Sequence, residues 1–223
     1  MPSYTLIIGN KNYSSWSWRA WLALKQTGAS FEEVVVPLDT PQTAVAIAKY
    51  SPAGRVPVLR HGERVIWDSL AIAEYLAEQH PKAGLWPEDI DARAYARCVV
   101  AEMHSGFAAL RSNCTMNLRL NAPGKGLDAP GVAQDVARLR DIWTEGRKRF
   151  GGTGEFLCGR YSVADAFFTP VVGRCMTYAI LLSGAAKTYA DAVWTHPFTK
   201  AWRDAAAQES MTMPRYEPHP TKP

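Results

Sequence analysis

Two adjacent hydroxyls, Ser14 and Ser15, stand in the run Asn12-Tyr13-Ser14-Ser15-Trp16-Ser17, after a short β-like run and before bulky apolar residues at helical spacing. The first N–H groups of a helix have no partner within it, and the helix dipole adds positive potential there, so the junction favours an anion. One hydroxyl can cap the helix while the other donates a hydrogen bond to a ligand sulfur; plain capping is the alternative. Moving a thiol from a pKa of ~8.5 down by about two units takes roughly 2.7 kcal/mol of preference for the anion. One charge-assisted hydrogen bond plus a helix N-terminus can supply that. The chemistry this run offers is the stabilisation of a thiolate.

Two further segments bear groups that can hold a small peptide. In Arg55-Val56-Pro57-Val58-Leu59 a proline enters the start of a strand. If the Val56–Pro57 bond is cis, the turn presents the Val56 amide and carbonyl to an extended, peptide-like ligand; if trans, the segment is an ordinary strand start. In Trp67-Asp68-Ser69-Leu70 a strand runs directly into a helix. The amides there, with the Ser69 hydroxyl, suit a carboxylate, and Asp68 suits an amine, so an α-amino acid group fits; capping alone is again the alternative.

The elements that must position these groups are legible from periodicity and punctuation. Tyr4–Ile8 reads as a strand, Trp16–Gln26 as a helix stopped by Gly28, Phe31–Val36 as a strand ended by Pro37, and Thr43–Tyr50 as a short helix. Val58–Arg60 and Arg64–Trp67 flank His61-Gly62-Glu63 as a hairpin, and Asp68 caps a helix over Ser69–Gln79. The order βαβαββα predicts a parallel first pair and an antiparallel last pair, most simply a thioredoxin-like α/β unit over residues 1–80. After the proline-punctuated stretch Pro81–Pro87, Asp91–Arg119 and Val132–Arg149 are long helical patterns, so an all-helical domain is expected over 88–223. The fold class is thus α/β plus all-α, a thioredoxin-like domain followed by a helical bundle. The tail Pro214–Pro223 is expected to lie extended on the surface or to be disordered.

Composition narrows the partners. The chain has 223 residues, 47% hydrophobic and 21% charged, enough for a substantial core. The net charge of +4 lies in the helical part, because residues 1–80 hold seven Lys/Arg and seven Asp/Glu. No run of five like charges marks a nucleic-acid or lipid surface, and no stretch is long and apolar enough for a bilayer. Cys98, Cys114, Cys158 and Cys175 form no C-x-x-C pair or metal spacing, which fits reduced thiols in a cytoplasmic protein without a metal.

Together, S-S-W-S-W-R, R-V-P-V-L, D-S-L-A-I-A-E-Y-L and the later F-L-C-G-R-Y-S-V-A-D-A resemble the cytosolic glutathione transferases over nearly the whole chain. The resemblance implies glutathione as cosubstrate, a small hydrophobic electrophile as second substrate, and a homodimer. It places Ser14, with Ser15 as runner-up, at the glutathione sulfur. It places Val56, before a cis Pro57, on the cysteinyl backbone, Arg55 near the tripeptide, and Asp68 and Ser69 at the γ-glutamyl end. Ser162 and Asp165 match the family's buried capping box, a folding device. The run Ser14–Arg19 is similar to the S-S-C-x-x-R of the zeta class, which includes maleylacetoacetate isomerases, with Trp16 in place of the cysteine; isomerisation is therefore a further reading. A non-catalytic glutathione-binding protein of the same fold is another. The first cysteine is Cys98, which disfavours a reductase mechanism that uses a protein thiol. Glu102-Met103-His104-Ser105-Gly106-Phe107 is similar to a bacterial family motif that brings its histidine to the glutathione site, so His104 is a candidate. A histidine without chemical role on a helix face is its alternative. Tyr13, Trp16, Phe107, Leu110 and Arg111 are the candidate walls of the electrophile pocket, with core packing the alternative for at least half of them.

Overall fold

The computed structural model describes residues 4–217. Its first half runs β1 (Tyr4–Ile8), α1 (Ser15–Gln26), β2 (Phe31–Val35), α2 (Thr43–Ala48), β3 (Val58–His61), β4 (Arg64–Trp67) and α3 (Ser69–Gln79). The sheet order is β2-β1-β3-β4, with β1 parallel to β2 and antiparallel to β3, and β4 antiparallel to β3. Alternation along β1 explains the layering, since successive side chains of a strand point to opposite faces. Leu6 and Ile8 join Trp18, Leu22 and Ile72 under α1 and α3, while Ile7 meets Val36, Ile47 and Val58 under α2.

From there the described chain is helical: α4 (Ile90–Ser105), α5 (Ala108–Asn113), α6 (Val132–Phe150), α7 (Val163–Tyr178), α8 (Gly184–Thr195) and α9 (Pro197–Ala207). This is a thioredoxin-like sheet followed by a helical part, the architecture expected from the sequence. The two parts share one core. Trp18 of α1 is fully buried and stacks on Trp202 of α9 at 5.9 Å, and the Trp202 Nε1–H donates to the Lys11 carbonyl just ahead of the serines. No helix among the described residues is long and apolar enough to cross a membrane.

The buried start of α7 is built as the capping pattern requires. The Asp165 carboxylate accepts from the Leu157 N–H at 3.0 Å, the Ser162 N–H at 2.8 Å and the Ser162 hydroxyl at 3.0 Å. Burial pushes its pKa up to about 6 against those three donors.

Three expectations need correction. The helical pattern Asp91–Arg119 is two helices and a loop: α4 ends at Ser105, Phe107 takes a left-handed conformation (φ 57°), and α5 stops at Asn113. Only a glycine fits at 106, because a Cβ there would sit 2.7 Å from the Glu102 carbonyl oxygen. Phe107 and Leu110 are core residues, 6% and 0% exposed, and do not wall the site. Pro214–Tyr216 forms a single 3-10 turn that packs on the first loop, with Tyr216 stacked on Tyr13 at 6.1 Å; residues 218–223 lie outside the described part.

Candidate functional site

A cavity of about 1220 Å³ between the sheet's loops and the helical part is lined by Ser14, Ser15, Arg55, Val56, Pro57, Asp68, Ser69 and His104, the residues that the sequence offered for the thiol and the tripeptide. Each comes from an element that ends at the cavity.

Ser14 is the N-cap of α1, which starts one residue earlier than periodicity suggests, at Ser15. The Ser14 oxygen accepts from the Ser17 N–H at 3.3 Å, and its hydroxyl donates to Ser17 Oγ at 2.7 Å. Ser15 Oγ and the Trp16 N–H make no hydrogen bond among the described residues, so the helix start keeps free donors. Tyr13, in contrast, is occupied: its oxygen accepts from Arg119 Nη2 at 2.9 Å and its hydroxyl donates to the Glu217 carboxylate.

The Val56–Pro57 bond is cis. Among the described residues neither the Val56 N–H nor its carbonyl has a backbone partner, so both are open to an extended peptide. Arg55 is exposed beside them, its backbone N–H held by Ser51 Oγ at 3.2 Å.

Asp68 caps α3 with Oδ1, which accepts from the Leu70 N–H at 2.8 Å, and faces His104 Nε2 with Oδ2 at 3.3 Å. It holds φ at 75°, a left-handed conformation that a non-glycine residue adopts at a cost and that recurs at binding sites. Ser69 is fully buried and its hydroxyl has no partner among the described residues. An unpaired buried hydroxyl at a helix start is a group awaiting an acceptor.

Arg111 and Arg174 line the cavity, and Arg19, which does not, lies against Trp16, which does. Arg19 is 1% exposed, and its Nε and Nη1 donors lack partners among the described residues. Its guanidinium lies 4.5 Å from the Trp16 ring centre, and Arg111 lies 4.7 Å from the same ring. Burial lowers the Arg19 pKa to about 9, with Arg111 and Arg174 adding repulsion and Asp68 opposing it. Arg174 donates from Nε to the Cys114 carbonyl at 2.9 Å and from Nη1 to the Pro170 carbonyl at 3.0 Å, and no carboxylate pairs it among the described residues. His104 meets Trp16 edge-on at 5.0 Å; burial lowers its pKa, Asp68 opposes that, and Arg19 and Arg111 reinforce it.

The structure thus gathers a helix start with free donors, an open peptide edge, the Asp68 carboxylate and the arginines Arg111 and Arg174 around the cavity, with Arg19 against Trp16. Of the wall residues read from the sequence, Tyr13, Trp16 and Arg111 line the cavity. Two features were missed. Arg174 had a signal, the single basic residue in the largely apolar run Val163–Tyr178. Tyr216 and Arg215, which also line the cavity, lie in a segment whose prolines hide any pattern.

Comparison with known proteins now bears on this geometry. The family model "Glutathione S-transferase, N-terminal domain" matches residues 13–79. The Caenorhabditis elegans protein named "Probable maleylacetoacetate isomerase" is 36% identical over 123 residues, 55% of this chain and 57% of that protein; the match spans little more than half of that relative. The maleylacetoacetate isomerase of Mus musculus is 34% identical over 181 residues, 76% of this chain and 78% of the mouse protein. The crystal structure of the theta class glutathione S-transferase from Xanthomonas axonopodis pv. citri, with glutathione bound, covers 96% of this chain and 100% of its own at a TM-score of 0.63 and 20% identity, a likeness of fold. A third of the residues shared along most of the mouse protein, added to the matched N-terminal domain, shows that the chain belongs to the cytosolic glutathione transferase family.

Proposed function

We propose that this protein is a glutathione-dependent enzyme that binds the tripeptide along the sheet's cavity edge, ionises its thiol at the start of α1 and directs the thiolate at an electrophile beside the helical part. The observation that carries this reading is the convergence of Ser14, Val56 and Asp68-Ser69 on one cavity. The open Val56 amide and carbonyl suit the cysteinyl backbone. The γ-glutamyl carboxylate fits the unpaired Ser69 hydroxyl and its helix start, and the amine fits Asp68, with His104 steadying that carboxylate. Support for the ligand comes from the Xanthomonas relative, which was crystallised with glutathione.

Three features of this chain favour the thiolate: the free donors at the start of α1, a serine hydroxyl, and the field of Arg19, Arg111 and Arg174. Ser14 is the donor assigned to the sulfur: the Ser17 N–H holds its oxygen at the helix start, and its hydrogen, given to Ser17 Oγ in the structure, would turn to the sulfur on binding. Ser15, whose hydroxyl has no partner, is the alternative. At neutral pH a thiol of pKa ~8.5 is only about 3% ionised, whereas one shifted by about two units is mostly thiolate. Titrating bound glutathione by thiolate absorbance in the parent, Ser14→Ala and Ser15→Ala tests the assignment. The thiol pKa rises by about one unit or more in Ser14→Ala, and an unchanged value there removes Ser14 from the mechanism.

A second reading has its own support. Arg111 and Arg174 line the cavity without a carboxylate partner among the described residues, which suits an acidic second substrate better than a purely hydrophobic one. The nematode and mouse relatives are named for an isomerase of maleylacetoacetate, a dicarboxylate. The same thiolate would add to a conjugated double bond, allow rotation about the resulting single bond and leave again, so no net conjugation occurs. Substrate panels at saturating glutathione separate conjugation from isomerisation, and binding with no turnover of either kind would instead favour a non-catalytic role. We further propose a cytoplasmic homodimer. The four free cysteines suit a reducing compartment, and sedimentation showing only monomer at low micromolar concentration would refute the dimer.

A further inference from the structure

We infer that Ser17 is a positioning residue for thiol ionisation, the middle of a donor chain that runs from the Gly9 N–H through Ser17 and Ser14 to the glutathione sulfur. The inference rests on the assignment of Ser14 above.

The hydrogen-bond inventory carries it. Ser17 is fully buried, and its oxygen accepts twice, from the Gly9 N–H at 3.0 Å and from the Ser14 hydroxyl at 2.7 Å. A serine oxygen has two acceptor sites, so both are filled, while its own hydrogen has no acceptor among the described residues. Ser14 shows the converse imbalance. Its hydrogen is given to Ser17, and its oxygen receives only the long 3.3 Å bond from the Ser17 N–H. Turning the two hydroxyls reverses the Ser14–Ser17 bond, giving the Ser17 hydrogen an acceptor and the Ser14 oxygen a second donor. Ser17 then donates to Ser14, and the Ser14 hydrogen is released towards the cavity. Without an anion the reversed state leaves the Ser14 hydrogen unpaired. With a thiolate present it ends in a charge-assisted bond, the stronger kind. Each donor in such a chain polarises the next, so the Gly9 amide and the Ser17 hydroxyl strengthen what Ser14 offers the sulfur. No covalent bond changes and each serine keeps its proton.

The role is distinguishable from support of the fold, because it acts on the thiol and not on the rest of the tripeptide. The experiment measures three quantities in the parent, Ser14→Ala, Ser17→Ala and Ser17→Thr: the pKa of bound glutathione by thiolate absorbance, the Kd of S-methylglutathione, which has no ionisable thiol, and the thermal midpoint. Ser17→Ala raises the thiol pKa by about half to one unit, the worth of one neutral hydrogen bond, with an unchanged Kd for S-methylglutathione. Ser17→Thr keeps the hydroxyl and returns the pKa towards the parent value. Should Ser17→Ala fail to fold, Ser17→Cys takes its place, since a thiol is a weak donor and gives a shift of the same sign. A raised pKa in Ser14→Ala with none in Ser17→Ala overturns the chain while leaving Ser14 in place. No shift in Ser14→Ala overturns the assignment itself and the chain with it. Equal loss of glutathione and S-methylglutathione binding in Ser17→Ala also overturns it, by showing that the residue merely supports the site.

Discussion

Replacing Asp68 with asparagine separates the two tasks of this side chain. Asparagine is as good an N-cap as aspartate and tolerates left-handed backbone, so the Leu70 N–H bond at 2.8 Å and the φ of 75° both survive, and stability changes little. What is lost is the charge that faces His104 at 3.3 Å and that, on the proposed binding mode, meets the glutathione amine. A hydrogen bond to a charged group is worth about 1.5–3 kcal/mol against about 0.5–1.5 for a neutral one. Because the Asp68 side chain is 43% exposed, water and salt weaken the difference, and the low end, about 1 kcal/mol, applies. That is about a fivefold rise in Kd for glutathione. Isothermal titration of the parent and Asp68→Asn with glutathione and with its deaminated analogue isolates the amine. The analogue should bind both proteins equally, while glutathione distinguishes them. Equal weakening of both ligands would refute the pairing of Asp68 with the amine, and an unchanged Kd for glutathione would refute its part in binding.

Three other outcomes follow from the same geometry. Asp165→Ala leaves the buried Leu157 and Ser162 amides unpaired at about 1–3 kcal/mol each, so a loss of about 3–5 kcal/mol is expected in urea unfolding; a loss under about 1 kcal/mol would contradict the capping role. His104 has its folded pKa depressed below 6.5, chiefly by burial, so the unfolded chain takes up its proton first. The stability from keeping it neutral is complete above about 6.5 and is lost as the pH falls through the folded value. Urea midpoints should therefore drop less between pH 7.5 and 5.5 in His104→Gln than in the parent, and parallel drops would contradict this. Arg111→Gln should lower kcat/KM for a carboxylate-bearing electrophile about tenfold relative to a neutral one at saturating glutathione, and equal losses would count against an acidic substrate.

The sheet was legible because its strands are short runs rich in β-branched and aromatic residues, punctuated by proline and glycine, and each of those signals acts locally. Asp68 could be read as a cap for the same reason. The break at Gly106-Phe107 was not legible. A single glycine in an apolar-periodic run is tolerated in helices, and only the approach of the Glu102 carbonyl makes this one obligatory. Phe107 and Leu110 have the right chemistry for a pocket wall, yet the turn between α4 and α5 rotates them into the core. The tail's place over Tyr13 depends on contacts more than two hundred residues apart in sequence, such as the Glu217 carboxylate on the Tyr13 hydroxyl, which no local pattern encodes. Similarly, the sequence shows two adjacent serines but not which of them spends its hydrogen on Ser17.

A crystal structure with glutathione bound is the most direct test of the central claim. The account predicts the sulfur within hydrogen-bonding distance of Ser14 Oγ at the start of α1, the cysteinyl backbone paired with Val56 and the γ-glutamyl end against Asp68 and Ser69. A tripeptide seated elsewhere, or a sulfur directed away from both Ser14 and Ser15, would contradict it.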